Sequence, residues 1–118
     1  MKNMEESSQL DRDLLEDYVQ SLGNSIVKKM FDLYAHQVVL YLDDIEASLL
    51  CDNSKQWQEY CHKMKGAAGS VGLKALYFRL KRMETTTANV NDKVHQLAQL
   101  KIHNNQAMSD FRDWLAGI

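Results

Sequence analysis

From Cys61 to Leu76 the chain reads Cys-His-Lys-Met-Lys-Gly-Ala-Ala-Gly-Ser-Val-Gly-Leu-Lys-Ala-Leu, and this run carries the residues best suited to chemistry. A neutral imidazole has one ring nitrogen with a free lone pair and one that carries a proton. His62 can therefore act as a nucleophile if its ring is accessible. Lys63 and Lys65 lie beside it in sequence, and their ammonium groups would offset negative charge on an incoming phosphoryl group. Gly66 follows one helical turn after His62. Its missing side chain leaves the approach to the ring open, although glycine within a helix costs roughly 0.5–1 kcal/mol relative to alanine. The plain alternative is a solvated helix residue, the commoner fate of an exposed histidine taken alone. Lys63 reads more readily as an ordinary solubilising residue than as part of a site.

The elements that must position these residues are helical. The 118-residue chain has no proline, so nothing forces a long helix to break. Apolar residues recur at spacings of three and four, predicting five helices. The first, near 10–22, carries Leu14, Leu15, Tyr18 and Leu22 and stops at Gly23. The second, near 25–51, carries Val27, Met30, Phe31, Tyr34, Val38, Tyr41, Leu42, Ile45 and Leu49, with Asn24 as its expected cap. Ser54 is the expected cap of a third helix reaching about Ala68, with Trp57, Tyr60, Cys61, Met64 and Ala68 inward. A turn over Gly69–Gly72 leads to a fourth helix with Leu73, Leu76, Tyr77, Leu80 and Met83. After a Thr- and Asn-rich linker at 85–91, a last helix near 92–116 presents Leu97, Leu100, Met108, Phe111 and Leu115.

Short loops between amphipathic helices favour antiparallel neighbours. The expected fold is all-α, an antiparallel up-down four-helix bundle with an additional short N-terminal helix. Residues 1–9 read as a frayed N-terminal segment and 10–118 as one domain. At about 100° per residue, His62 lies about 150° from the centre of the third helix's apolar cluster. It therefore faces outward, sharing its face with Gln58, Gly66 and Gly69, with Lys65 alongside.

Composition excludes several classes. Fourteen basic and 16 acidic residues give a formal charge of −2, against a general nucleic-acid surface. No apolar run approaches the roughly 20 residues that span a bilayer, and no signal-peptide core is expected at the start. Cys51 and Cys61 make no disulfide framework, so a reducing, cytoplasmic setting is expected. The cysteines and the four histidines lack paired metal-ligand spacing, so no metal and no cofactor is expected. No nucleotide-cradling glycine loop is found, so the chain is not expected to consume ATP or to be an enzyme by itself.

His62-x-x-Lys65-Gly66, followed by Gly72, Leu73 and Leu76, resembles the signature of histidine-containing phosphotransfer (HPt) domains. Leu14 through Gly23, the long second helix with Phe31, and Met83-Glu84 fit the same pattern. The likeness covers about residues 10–87; the last helix matches only in length and amphipathicity. The run Lys65-Gly-Ala-Ala-Gly-Ser-Val-Gly-Leu73 is most similar to the C-terminal modules of tripartite hybrid sensor kinases of the anoxic-redox and trimethylamine-N-oxide types. One departure is Cys61, where the family commonly has alanine; both are small.

The resemblance implies a phosphocarrier in a bacterial His-Asp-His-Asp phosphorelay. His62 would accept a phosphoryl group from a receiver-domain aspartate of a hybrid sensor kinase and pass it to a response regulator. Lys65 matches the charge-stabilising lysine, and Gly66 the small residue that admits the receiver. Gln58, Lys63, Gly66 and Gly69 would line the partner interface, and the receivers would supply the acidic pocket and metal ion. A Gln or Glu near position 84 can hydrogen-bond the histidine in this family, so Glu84 is a candidate to orient the imidazole. Glu84 reads equally well as a partly solvated carboxylate at a helix end. A monomer is expected, in the cytoplasm or as the cytoplasmic tail of an inner-membrane sensor kinase, with no membrane contact by this domain. The rival reading is a helical interaction module that binds partners without taking phosphate.

Four further features need a place. Ile26, Leu33 and Leu40 form an apolar strip off the second helix's core stripe, read first as packing against the first helix and second as a docking patch near His62. Lys74, Arg79, Lys81 and Arg82 form a basic cluster on the fourth helix, read as a solvated face. His36 and His95 point outward, while His103 lies at a stripe edge. Asn104 interrupts the last helix's apolar stripe and reads as a buried hydrogen-bonding residue.

Overall fold

The structure, a computed structural model, describes residues 9–118. The fraying expected of 1–9 therefore falls, Gln9 apart, outside the described residues. Five helices follow in order: α1 Arg12–Leu22, α2 Asn24–Leu50, α3 Ser54–Ser70, α4 Lys74–Glu84 and α5 Val90–Ala116. The chain reverses at short connections, and α2, α3, α4 and α5 each pack on the next, with α5 returning onto α2. That closed ring is the expected up-down bundle.

Local chemistry sets each boundary. Asp11 caps α1, its side chain accepting from the Leu14 N–H at 3.2 Å. Gly23, at φ +86°, ends α1 and lets α2 begin at once. The cap position of α2 is thus Gly23 and not Asn24, and it makes no side-chain hydrogen bond. At α3 the cap is Asn53, which accepts from the Gln56 N–H at 3.0 Å. Ser54, the residue expected to cap, is already helical because Asn53, one position earlier, holds the extended backbone conformation of a cap. Helix α5 starts two residues before expectation, since Asn89 accepts from the Asp92 N–H at 2.9 Å.

The α3–α4 turn is built for the N-terminal helix. The Leu73 N–H donates to the Ala68 carbonyl at 2.9 Å and the Gly72 N–H to that of Gly69 at 3.1 Å, with Gly72 at φ +76°. This pairing satisfies the last carbonyls of α3. A Cβ on Gly72 would sit 2.9 Å from two carbon atoms of Leu15, so the missing side chain is what lets α1 close over the turn. The Asp11 N–H donates to the Gly72 carbonyl at 2.8 Å, and the Tyr18 hydroxyl to that of Ser70 at 3.0 Å. Helix α1 therefore lies across one end of the bundle.

The core joins the expected stripes: Val27, Phe31, Tyr34, Val38, Ile45 and Leu49 of α2 meet Trp57, Cys61, Met64 and Ala68 of α3, with Leu76, Leu80, Leu100 and Phe111 opposite. Phe31 stacks on Phe111 with ring centroids 4.7 Å apart. The buried Trp57 indole donates to the Met83 carbonyl at 2.9 Å and ties α3 to the end of α4. Asn104 is buried as expected, accepting from the Tyr34 hydroxyl at 2.7 Å. Leu22 departs from expectation: it is exposed at the end of α1, where the chain turns away. Lys93 is unexpectedly buried, its ammonium 5.2 Å from the Trp57 ring centroid and 3.4 Å from the Ser54 hydroxyl. No helix among the described residues is long and apolar enough to cross a membrane.

Candidate functional site

His62 stands mid-way along α3 on the face opposite Cys61 and Met64, and its side chain is 68% exposed. The antiparallel α3–α4 pairing, marked by Trp57 against Met83, brings the last residue of α4 to this level. There the two oxygens of Glu84 divide their work: Oε1 lies 2.5 Å from His62 Nδ1, and Oε2 accepts from Lys65 Nζ at 3.0 Å. The Glu84 and Lys65 side chains are only 12% and 15% exposed. A helix-end carboxylate has thus become a bridge between two side chains one turn apart on α3.

Burial alone would raise the pKa of Glu84. The hydrogen bonds from Lys65 and His62, together with their charges, outweigh it and hold the carboxyl below its ordinary value. An ionised carboxylate can only accept hydrogen bonds. Nδ1 must therefore carry the proton, which leaves the Nε2 lone pair of a neutral ring uncommitted. Adjacent Cys61 takes no part: burial, reinforced by the Glu84 charge and partly offset by Lys93, pushes its thiol up to about 12.

The other candidates separate. Gly66 is exposed, and a Cβ built on it meets nothing within 4 Å. Open space therefore lies beside the imidazole. Gly69 behaves differently, because a Cβ there would come within 3.1 Å of the Tyr77 ring. Its missing side chain serves close α3–α4 packing. Gln58 is exposed one turn before His62, and exposed Lys63 places its ammonium 5.5 Å from the Tyr60 ring centroid.

A groove between α2 and α3 runs alongside the ring, lined by Met30, Tyr34, Gln37 and Tyr41 opposite His62 and Gly66. Sequence reasoning assigned Met30, Tyr34 and Tyr41 to the core and did not single out Gln37. Leu33, on the same groove, is 58% exposed, and Leu40 is 64% exposed. Packing of Ile26, Leu33 and Leu40 against α1, the reading preferred from sequence, is thereby corrected. Helix α1 is pinned over the α3–α4 turn and leaves these side chains in solvent. His36 and His95 are exposed as expected, and His103 is half-buried. Among the described residues no group of three His, Cys, Asp or Glu side chains could hold a metal ion.

The profile of the Hpt domain family matches residues 29–114. The chain belongs to the Hpt family. The aerobic respiration control sensor protein ArcB of Escherichia coli strain K12 is 32% identical over 75 residues, 64% of this chain and 10% of ArcB. ArcB of Shigella flexneri gives the same figures. The Hpt chain thus spans about a tenth of the length of the curated relatives it matches. The histidine-containing phosphotransfer domain of E. coli ArcB superposes with a TM-score of 0.83 at 23% identity, covering 92% of this chain and 94% of that one. A solution structure of that domain gives a TM-score of 0.81 at 25% identity, with 97% and 93% covered. The bundle with an N-terminal helix is therefore the Hpt fold, and the sensor-kinase resemblance read from Lys65–Leu73 is matched in ArcB.

Proposed function

We propose that this Hpt domain is a phosphocarrier of a multistep phosphorelay, with His62 Nε2 as the phosphoacceptor. One observation carries the reading: an exposed imidazole whose Nδ1 is held by a carboxylate while Nε2 has no protein partner among the described residues. Nε2 attacks the phosphorus of an aspartyl phosphate on a receiver domain. A P–N bond forms, the P–O bond to the aspartate breaks, and the aspartate carboxylate leaves with the electron pair. Positive charge developing on the ring is met by Glu84 through the Nδ1 proton, which stays in place. Transfer onward to a response-regulator aspartate reverses these steps.

Lys65 acts in two ways in this proposal. It holds the Glu84 carboxylate in position, and it places positive charge within a turn of the phosphoryl group. Gly66 provides clearance, and Gln58 and Lys63 border the docking receiver. The α2–α3 groove with Leu33 gives that partner an apolar contact rimmed by charge, suited to a transient complex. The domain carries phosphate and consumes no ATP of its own. It works as a monomer in the cytoplasm, within or beside a sensor kinase of the ArcB kind.

The test is incubation with a phosphorylated receiver domain, comparing wild type with His62→Gln. Acid-labile, alkali-stable label on the wild type and none on the variant supports the proposal. Equal labelling of both proteins refutes it and favours a binding-only module or another acceptor.

A further inference from the structure

The basic residues of α4 do not form the single solvated face expected from sequence. Lys74 borders a groove beside Gly66 and Gly69, and Lys81 points to solvent. Arg79 and Arg82 instead line a small cleft of about 130 Å³ with His103 of α5, closed by Ala75 and Gln9. Among the described residues no carboxylate lines this cleft. Among the described residues neither arginine takes part in an ion pair. Burial, and then the charge of Arg82, lower the pKa of half-buried Arg79; burial, and then Arg79, lower that of His103. Half-buried Arg79 and His103 are thus gathered with exposed Arg82, with no counter-charge among the described residues. Gln9 adds a buried amide oxygen that has no hydrogen-bond partner.

Such a convergence is unfavourable unless an anion relieves it. Guanidinium groups present planar forks of donors that match oxyanions. The unpaired Gln9 Oε1 can accept from a protonated oxygen of such a group. A cleft this small suits one compact group and excludes a nucleotide. We infer that the α4–α5 cleft binds a single oxyanion group, phosphate or carboxylate, through Arg79, Arg82 and His103, with Gln9 at its edge. The cleft shares no residue with the groove beside His62, so this site is independent of the proposed relay chemistry. The oxyanion can come from a free phosphate compound or from an acidic side chain of another protein. Among the described cleft residues, His103 is the group of a type that titrates between acid and neutral pH. For a ligand whose charge is constant over this range, such as acetate, binding therefore tightens as pH falls and His103 gains its proton.

The test is a titration of the full chain at constant ionic strength, with chloride as the reference. Inorganic phosphate is used in one arm and acetate in the other, reading the NMR signals of the His103 ring and the Arg79 side chain. Saturable shifts are expected in at least one arm: phosphate identifies a phosphate source, and acetate a carboxylate source. Binding should weaken about tenfold or more in R79Q and in R82Q, each of which removes charge-assisted hydrogen bonds. Exposed Arg82 gives a variant whose fold is not at risk, and H62Q should bind as wild type does. Shifts that only track the chloride reference, or saturable binding equal in wild type, R79Q and R82Q, would overturn the inference.

Discussion

Removing the Glu84 carboxylate tests how the imidazole is prepared. Glu84→Ala frees Nδ1, so the ring rotates and carries its proton on either nitrogen. A charge-assisted hydrogen bond contributes about 1.5–3 kcal/mol when shielded. With the His62 side chain 68% exposed, solvent screening reduces this to about 1 kcal/mol. That predicts a transfer rate about fivefold lower, measured by rapid quench with excess phosphorylated receiver in a single turnover. Glu84→Gln keeps an acceptor for Nδ1–H but loses the charge, so its rate should lie between wild type and Glu84→Ala. Glu84→Ala also strands the Lys65 ammonium, only 15% exposed, at a cost of roughly 1–2 kcal/mol of stability. The stability effect has a definite pH sign. The folded pKa of Glu84 lies below its ordinary value of 4.5, so its contribution is full above that value and is lost as pH falls through the folded value. The gap in urea midpoint between wild type and Glu84→Gln should therefore shrink in strong acid. A Glu84→Ala variant that transfers phosphate at the wild-type rate, while losing the expected stability, would refute the orienting role.

Other substitutions probe the elements around the site. Gly66→Ala should raise stability by about 0.5–1 kcal/mol in thermal unfolding, because the new methyl meets nothing and helix propensity improves. Gly66→Gln should keep native helicity by circular dichroism but slow transfer, since its longer side chain occupies the space beside His62; unchanged transfer would defeat the clearance argument. Gly72→Ala should lose about 2 kcal/mol or more, combining left-handed strain with a clash on Leu15. A wild-type unfolding midpoint there would show that α1 does not need the close approach. Tyr34→Phe leaves the buried Asn104 oxygen without its donor and should lose about 1–3 kcal/mol in denaturant unfolding.

Much of the bundle was legible from periodicity because the apolar residues of α2, α3 and α4 follow a simple helical stripe. Helix starts were less legible. Asn24 and Ser54 are good capping types, yet Gly23 and Asn53 hold the cap positions, since neighbouring residues competed for the role and only backbone geometry decides. The outward turn of His62 followed from the helical wheel. Its contact with Glu84 did not, because a wheel describes one helix and the bridge depends on how α4 pairs with α3. Gly66 and Gly69 read alike in sequence, but the Tyr77 ring beside only one of them gives the two different purposes. Leu33 and Leu40 were misplaced for a similar reason: the position of α1 is set at Gly72, in the α3–α4 turn and remote in sequence from both. The Arg79–Arg82–His103 cleft joins residues of two helices and so had no local signature.

The most direct measurement is the position of the phosphoryl group on the ring. After phosphorylation by a receiver domain, ¹⁵N and ³¹P NMR of ring-labelled protein should show phosphorus bonded to Nε2 of His62, with Nδ1 still protonated. Phosphorus on Nδ1, or on any residue other than His62, would contradict the account.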